Sequence, residues 1–209
     1  MTAALPPELA RRPNAVMRPR DAQGVYAHPG PEFARLARAG VLRRLAYGYY
    51  VRVPSSESGR PSWRPDLHAV ALGIAQSDAG QDGAALMHVS AARVHGVLPR
   101  EIALAVVATD SQRPSLSVGS GRIRFMKRKV DVLDLQRVVL PLVEGWVTTR
   151  EQTLLDLVVH PSIEGLDVEV AREASAQLAL EVDWTRVTHL AVTQRRAGVL
   201  AQARRRLEG

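Results

Sequence analysis

Arginine and tyrosine are concentrated in one short stretch, PEFARLARAGVLRRLAYGYYVRVP, residues 31–54. Guanidinium groups bind phosphate oxygens and the edges of guanine bases, and tyrosine hydroxyls also contact the DNA backbone. Arg35 and Arg38 lie together on one side of a helical pattern, and Arg43, Arg44 and Tyr47 follow in a predicted hairpin. These residue types predict a surface that binds nucleic acid. The alternative is a solvated arginine face with tyrosines that pack within the hairpin.

The positive charge is concentrated in the first third of the chain. Residues 1–60 hold ten arginines and four acidic residues, a net charge of +6, whereas residues 61–209 hold 18 basic and 17 acidic residues, out of a total charge of +7. A localised positive field attracts a polyanion, while a scattered one chiefly aids solubility. Only two of the 28 basic residues are lysines, which together with the abundant alanine suggests GC-rich coding. The position of the charge is therefore more informative than the number of arginines.

Other kinds of chemistry find little support in the sequence. The chain has no cysteine, which excludes disulfides, thiolate nucleophiles and cysteine zinc sites, and its six histidines lack the clustered spacing of metal ligands. Gly119, Ser120 and Gly121 lack the lysine of a phosphate loop. Asp131 and Asp134 are one residue too far apart for the magnesium-binding Asp-x-Asp of nucleotidyltransferases. We therefore predict no catalytic residue, no metal and no cofactor, and that the protein is not an enzyme.

Membrane insertion is also not expected. The longest apolar runs, VALGIA and IALAVVA, are far shorter than the roughly 20 residues of a membrane span, and the chain does not open with a basic and then apolar leader. We expect a soluble, cytoplasmic protein with no membrane partner.

The elements before residue 54 must position the arginines. PPELARR and RPRDAQGV predict two short helices, and PEFARLARAG predicts a third with an apolar stripe and Gly40 at its end. VLRRLAYGYYVRV predicts a hairpin that turns at Tyr47 and Gly48, because glycine accepts positive φ without strain. Short helices followed by a two-stranded ribbon are typical of a winged helix-turn-helix.

The segment PSSESGRPS, residues 54–62, predicts a linker because it is rich in proline, serine and glycine and has no apolar period. It would separate a DNA-binding domain at residues 1–53 from a second domain at residues 63–209. The fold class is therefore α+β: an N-terminal winged helix-turn-helix followed by a larger mixed domain with a small central sheet.

The second domain shows further local signals. DLHAVALGIAQ predicts an amphipathic helix capped by Asp66, and SAARVHGV a short helix capped by Ser90. EIALAVVAT and GRIRFMKRKVDVLDL predict strands. GWVTTREQTLLDLVVHP predicts a strand that runs into a helix, with Thr148 or Thr149 in a capping box and Asp156 as a structural hydrogen-bond anchor. Three more helices are predicted after it.

Three segments resemble the AbiEi-type antitoxins of bacterial abortive-infection toxin–antitoxin systems. They are LARAGVLRRLAYGYYV, HVSAARVHGVL and GWVTTREQTLLDLVVHP, and their order and spacing match over nearly the whole chain. The arginine and alanine bias suggests an actinobacterial or mycobacterial member. The resemblance implies an N-terminal domain that binds inverted repeats in the operon's own promoter. It also implies a C-terminal antitoxin domain that neutralises a cognate nucleotidyltransferase toxin.

Carried over by position, the resemblance implies DNA contacts in the second and third helices and in the wing. They are Arg18, Arg20, Arg35, Arg38, Arg43, Arg44 and Tyr47. The crowded turn VYAHPGPEF departs from the family pattern, so the sequence does not fix where the recognition helix begins. We expect a monomer in solution or a dimer on DNA, because inverted repeats need two copies of the domain.

Two other functions stay open at this stage. A winged helix can serve as a protein-interaction module that does not bind DNA and whose arginines meet an acidic partner. A nuclease is favoured least, because neither Lys127 nor Lys129 stands in the carboxylate–lysine pattern of restriction-type nucleases. The basic segments RIRFMKRK and QARRRLE in the second domain could contact DNA, the toxin or only solvent.

Overall fold

A computed structural model describes residues 4–99 and 101–207, and within them the chain forms eight α-helices and nine β-strands. The helices are α1 Pro7–Ala10, α2 Pro29–Arg38, α3 Leu67–Ala79, α4 His88–Val94, α5 Arg150–Val159, α6 Val168–Ala179, α7 Trp184–Thr193 and α8 Ala197–Leu207. The strands are β1 Val16–Met17, β2 Leu42–Ala46, β3 Tyr49–Arg52, β4 Ala84–Leu86, β5 Leu104–Thr109, β6 Leu116–Val118, β7 Gly121–Lys127, β8 Leu135–Leu140 and β9 Val143–Thr148. The α+β class is confirmed. The outer limits predicted for the two domains, residues 1 and 209, lie outside the described residues.

The N-terminal unit is built on an antiparallel three-stranded sheet in the order β1-β3-β2. Helices α1 and α2 cover one side of it through a small buried cluster that includes Leu9, Phe33 and Leu36. The ring of Phe33 meets Tyr50 of β3 edge to face, with centroids 5.3 Å apart. The prediction of an α-helix from RPRDAQGV is wrong. The segment forms a single 3-10 turn, Pro19–Ala22, because proline at one end and glycine at the other leave room for only one turn.

The predicted third helix and hairpin are confirmed. Helix α2 begins at Pro29, two residues before the predicted start, and Gly40 ends it with φ +74°. The following hairpin turns at Tyr47 and Gly48, and Gly48 has φ +78°. Both glycines occupy backbone conformations that an L side chain adopts only with strain.

The larger unit is organised around a mixed six-stranded sheet in the order β6-β7-β5-β4-β9-β8. The pairs β5–β7 and β4–β9 are parallel, and the other neighbours are antiparallel. The sheet is larger than the small one predicted, because β4, β6 and β8 are short or exposed and carry weak strand patterns. Helix α3 packs on one face, and α4 to α8 build a second core on the other.

Helix α3 is enclosed between the two units. It was predicted to bury one side only, but every residue from His68 to Gln76 is buried. The reason is that the N-terminal sheet covers the side that would otherwise face solvent. Asn14 donates a hydrogen bond to the carbonyl of Gly73 at 2.9 Å, and a Cβ added at Gly73 would lie 2.6 Å from Val16. The segment 54–62 therefore joins two units that pack directly on each other.

Two of the predicted helix caps are confirmed, and one is wrong. Asp66 accepts a hydrogen bond from the backbone of Ala69 at 2.8 Å, and Thr149 accepts one from Gln152 at 3.3 Å. Ser90 is not a cap, because α4 already begins at His88. The hydroxyl of Ser90 is buried and accepts a hydrogen bond from the backbone N–H of Val106 at 2.7 Å. Ser90 therefore bonds to strand β5 and not to the first turn of its own helix.

Candidate nucleic-acid interface

Helix α2 presents arginine on the side that faces away from the core. Phe33 and Leu36 are fully buried, which leaves Arg35 and Arg38 exposed in the last turn. Arg35 Nε donates to Glu32 at 2.9 Å in an exposed pair of the kind that contributes little stability. Arg38 has no hydrogen-bond or ion-pair partner among the residues that the structure describes. A phosphate can therefore recruit both guanidinium groups at small cost.

The hairpin carries the second group of predicted contacts. Tyr47 stands at its tip with 89% of its surface exposed, and the Arg44 guanidinium lies 5.7 Å from its ring centroid. Arg43 is held in place: it donates to the carbonyl of Pro61 at 3.0 Å and lies 5.5 Å from the ring of Trp63. The tip therefore offers an aromatic ring and a cation side by side, while Arg43 is anchored to the linker.

Arg18 and Arg20 lie elsewhere. Both bind the carboxylate of Asp78 on α3, Arg18 in a close ion pair and Arg20 at 3.1 Å. Arg113 joins the same carboxylate at 2.7 Å, and Tyr49 donates to it at 2.5 Å. Burial, reinforced by the hydrogen bond to Asp78, raises the pKa of Tyr49. This Asp78 cluster fixes the N-terminal unit on α3, so we leave Arg18 and Arg20 out of the candidate interface.

Two further cations, Arg60 in the linker and Arg64 just after it, were not predicted from the sequence. Arg60 is exposed and lines the same groove as Arg38, Arg43 and Arg44. Arg64 lies beside Arg43 in a neighbouring groove. In a segment with no periodic pattern, the sequence carries no signal for which neighbours an arginine will meet.

The basic strand of the larger unit is partly neutralised within the chain. Arg122 and Arg124 of β7 both bind Glu164, at 3.0 and 3.1 Å. Lys127 and Lys129 are exposed and have no hydrogen-bond or ion-pair partner in the described ranges. Of the other basic segment, QARRRLE, Arg204 and Arg205 are exposed on α8, and its last residue, Glu208, lies outside the described residues.

Two buried titratable groups lie near the start of α4 and on α5. His88 has φ +56°, donates through Nε2 to the carbonyl of His160 at 2.9 Å, and has its pKa lowered by burial to about 4. Asp156 has its pKa raised by burial to about 7, although Arg128 lies 3.4 Å away. Its carboxylate accepts a hydrogen bond from Gln152 at 3.0 Å, as the anchor role predicted. Strained backbone and shifted pKa values are frequent at functional sites but also occur in structural networks.

Metal and membrane binding gain no support from the geometry. Across residues 4–99 and 101–207, no three histidine, cysteine, aspartate or glutamate side chains come together as a metal site. In the same part of the chain, each helix is too short or too polar to cross a bilayer. Neither a protein-family model nor a curated protein matches the chain. Its function must therefore be inferred from the surfaces described above.

Proposed function

We propose that the protein is an AbiEi-type antitoxin that neutralises a cognate nucleotidyltransferase toxin and represses its own operon. Repression would occur through an N-terminal winged helix bound to inverted repeats in the promoter. The observation that carries the DNA-binding part is the exposed cationic surface of α2 and the hairpin, with Arg38, Arg44 and Tyr47 at its centre. A helix about 10–12 Å across fits the major groove, and exposed arginines can then reach phosphates or guanine edges.

The order of elements supports a winged-helix interpretation. The chain runs α1, β1, a 3-10 turn, α2 and then the hairpin β2–β3, with β1 hydrogen-bonded beside β3. In this interpretation the 3-10 turn takes the place of the second helix, α2 is the recognition helix, and the hairpin is the wing. The resemblance assigns the same roles to these segments.

The antitoxin part rests on the two other segments that resemble the family. HVSAARVHGVL corresponds to α4 and the turn after it, and GWVTTREQTLLDLVVHP corresponds to the end of β9 and to α5. Helices α4 and α5 pack against each other in the core that lies beneath α6 to α8. The two segments therefore belong to one structural centre of the larger unit, which supports their treatment as one domain.

DNA binding is tested with the double variant Arg35→Ala, Arg38→Ala and promoter DNA that carries the inverted repeats. For each guanidinium that makes a bidentate base contact, we expect a loss of about 1–3 kcal/mol, or roughly 5- to 150-fold in Kd. The matched control is Arg172→Ala, Arg205→Ala, which removes the same charge from exposed positions on α6 and α8. Equal affinity of the first variant and wild type in a mobility-shift titration would place the contact face elsewhere.

Toxin neutralisation needs a separate test. The genes next to this one are searched for a nucleotidyltransferase toxin, which is then co-expressed with the protein, and growth is followed with each gene alone and with both together. We expect growth to be restored only when both are present. Continued arrest with both proteins produced would refute the antitoxin part and leave repression untouched.

A second candidate function is a protein-interaction module whose winged helix does not bind DNA. It is favoured by the Asp78 cluster, which ties Arg18 and Arg20 to α3 and so takes two of the predicted DNA contacts out of the interface. If wild-type protein fails to retard promoter DNA at low salt, this function replaces the repressor role.

A further inference from the structure

A cationic groove of about 510 Å³ lies between the C-terminal end of α2, strand β2 and the linker. Its charged lining is Arg38, Arg43, Arg44, Arg60 and Glu57, the last being the one carboxylate among the described lining residues. Glu57 binds Arg60 at 3.4 Å in an exposed pair. The groove therefore holds a net charge of about +3, and a cleft lined by one sign of charge concentrates ions of the opposite sign.

The linker is folded back to form one wall of this groove. Pro61 receives hydrogen bonds from Arg43 at 3.0 Å and from Arg64 at 2.8 Å, so two guanidinium groups converge on one carbonyl. Gly59 has φ +77°, which allows the chain to turn just before Arg60. Arg60 is thus placed at the groove by a defined backbone path.

A second groove, of about 640 Å³, continues the first. It shares Arg43 and Arg44, adds Arg64, and has the turn Gly119–Gly121 as part of its far wall. It also contains Asp66 and Glu101, and the Asp66 carboxylate is occupied as the cap of α3. Together the two grooves are lined by five arginines and three carboxylates, a net charge of about +2, and we call the row Arg38, Arg43, Arg44, Arg60 and Arg64 the arginine track.

We propose that this arginine track binds the backbone phosphates of DNA that flanks the segment contacted by α2, which makes Arg60 and Arg64 DNA contacts. The inference rests on the proposed function, because the track begins at the surface assigned there to DNA. Guanidinium groups match phosphate oxygens in two-point geometry, and phosphate contacts fix position without reading sequence. The continuity of the track with α2 favours flanking DNA over an acidic protein segment.

The test uses the full chain with Arg60→Ala, Arg64→Ala and measures Kd on promoter DNA over a range of salt concentrations. Each lost phosphate contact should reduce the slope of log K against log salt by about 0.9, so the double variant should lower it by about 2. The preference for the inverted repeat over unrelated DNA should stay the same. Arg172→Ala, Arg205→Ala, with the same change in net charge on the far face of the large sheet, should leave the slope unchanged.

A second DNA, trimmed to the inverted repeats alone, separates the track from the recognition surface. Wild type should lose affinity on the trimmed DNA, and Arg60→Ala, Arg64→Ala should lose little more. If wild type binds the promoter but the variant has the same slope of log K against log salt, the proposed phosphate contacts of the track are refuted and the repressor role stands. Polyglutamate is the probe for an acidic protein. If Arg60→Ala, Arg64→Ala keeps the wild-type slope on DNA but no longer binds polyglutamate as wild type does, the arginine track binds an acidic protein instead of DNA. If wild type binds no DNA, the proposed function itself fails.

Discussion

Asp78 is the residue whose replacement should most weaken the attachment of the N-terminal unit. Its carboxylate receives Arg18, Arg20 and Arg113, together with the hydroxyl of Tyr49, and only 18% of its side chain is exposed. Asp78→Asn keeps the shape and one acceptor oxygen but removes the negative charge. Three guanidinium groups then lose the negative charge that they share, and the groups on one carboxylate oxygen face an amide NH2 instead of an acceptor.

The size of the effect follows from how well solvent can replace that partner. Breaking a fully buried ion pair costs about 3–5 kcal/mol, whereas an exposed pair contributes about 0–1 kcal/mol. Arg113 is 22% exposed and Arg18 is 28% exposed, but Arg20 is 50% exposed and will be rehydrated. We therefore expect Asp78→Asn to lower the free energy of unfolding by about 3 kcal/mol, and the melting temperature by roughly 6–12 °C for a domain of this size.

Urea unfolding followed by circular dichroism measures this free energy. The control is Glu169→Gln, which breaks the pair between Glu169 and Arg172 at 2.7 Å, where both side chains are more than 60% exposed. It should change stability by about 0.5 kcal/mol or less. A loss below 1 kcal/mol in Asp78→Asn would mean that water solvates the three guanidinium groups as favourably as the carboxylate binds them. The attachment of the N-terminal unit to α3 would then depend on apolar packing alone.

Two further predictions concern pH and backbone conformation. Burial lowers the pKa of His88 from 6.5 to about 4, so the unfolded chain takes up this proton at higher pH than the folded chain does, and His88 lowers the free energy of unfolding as pH falls from 6.5 towards 4. Burial raises the pKa of Asp156 from 3.8 to about 7, so the unfolded chain releases this proton first, and Asp156 lowers the free energy of unfolding as pH rises from 4 through 7. When the pH is lowered from 7.5 to 5, the free energy of unfolding, measured by urea titration relative to wild type, should rise by about 2 kcal/mol in His88→Asn and fall by about 2 kcal/mol in Asp156→Asn. A change of the same sign in both variants would contradict these assignments. At the hairpin tip, Gly48→Ala should cost about 1 kcal/mol because its φ is +78°, whereas Gly198→Ala in α8, with open space, an ordinary φ and no proline after it, should gain up to about 1 kcal/mol. Equal melting temperatures for these two glycine variants would argue against the turn geometry.

Much of the local structure could be predicted from the sequence. The apolar stripe of α2, the turn at Tyr47 and Gly48, and the caps Asp66 and Thr149 each depend on residues a few positions apart. The candidate interface was predictable to the same extent, because Arg38, Arg44 and Tyr47 follow directly from the helix and the hairpin that carry them.

The remaining features depended on partners distant in the chain. Arg18 lies 60 residues from Asp78, and the hydroxyl of Ser90 binds a backbone group 16 residues away. The linker became a wall of the arginine track only because Pro61 accepts hydrogen bonds from Arg43 of the hairpin and from Arg64. Sequence pattern carries no information on such meetings.

The sequence by itself determined the caps of α3 and α5, where the hairpin turns, and which end of the chain is cationic, because caps, glycine conformations and charge act over a few residues. Only the tertiary structure decided which arginines face solvent and which form ion pairs with Asp78. It also decided that α3 is covered on every side. The physical reason is that a guanidinium takes whichever anion the packing of the two units brings within reach, and that packing is set by the fold as a whole.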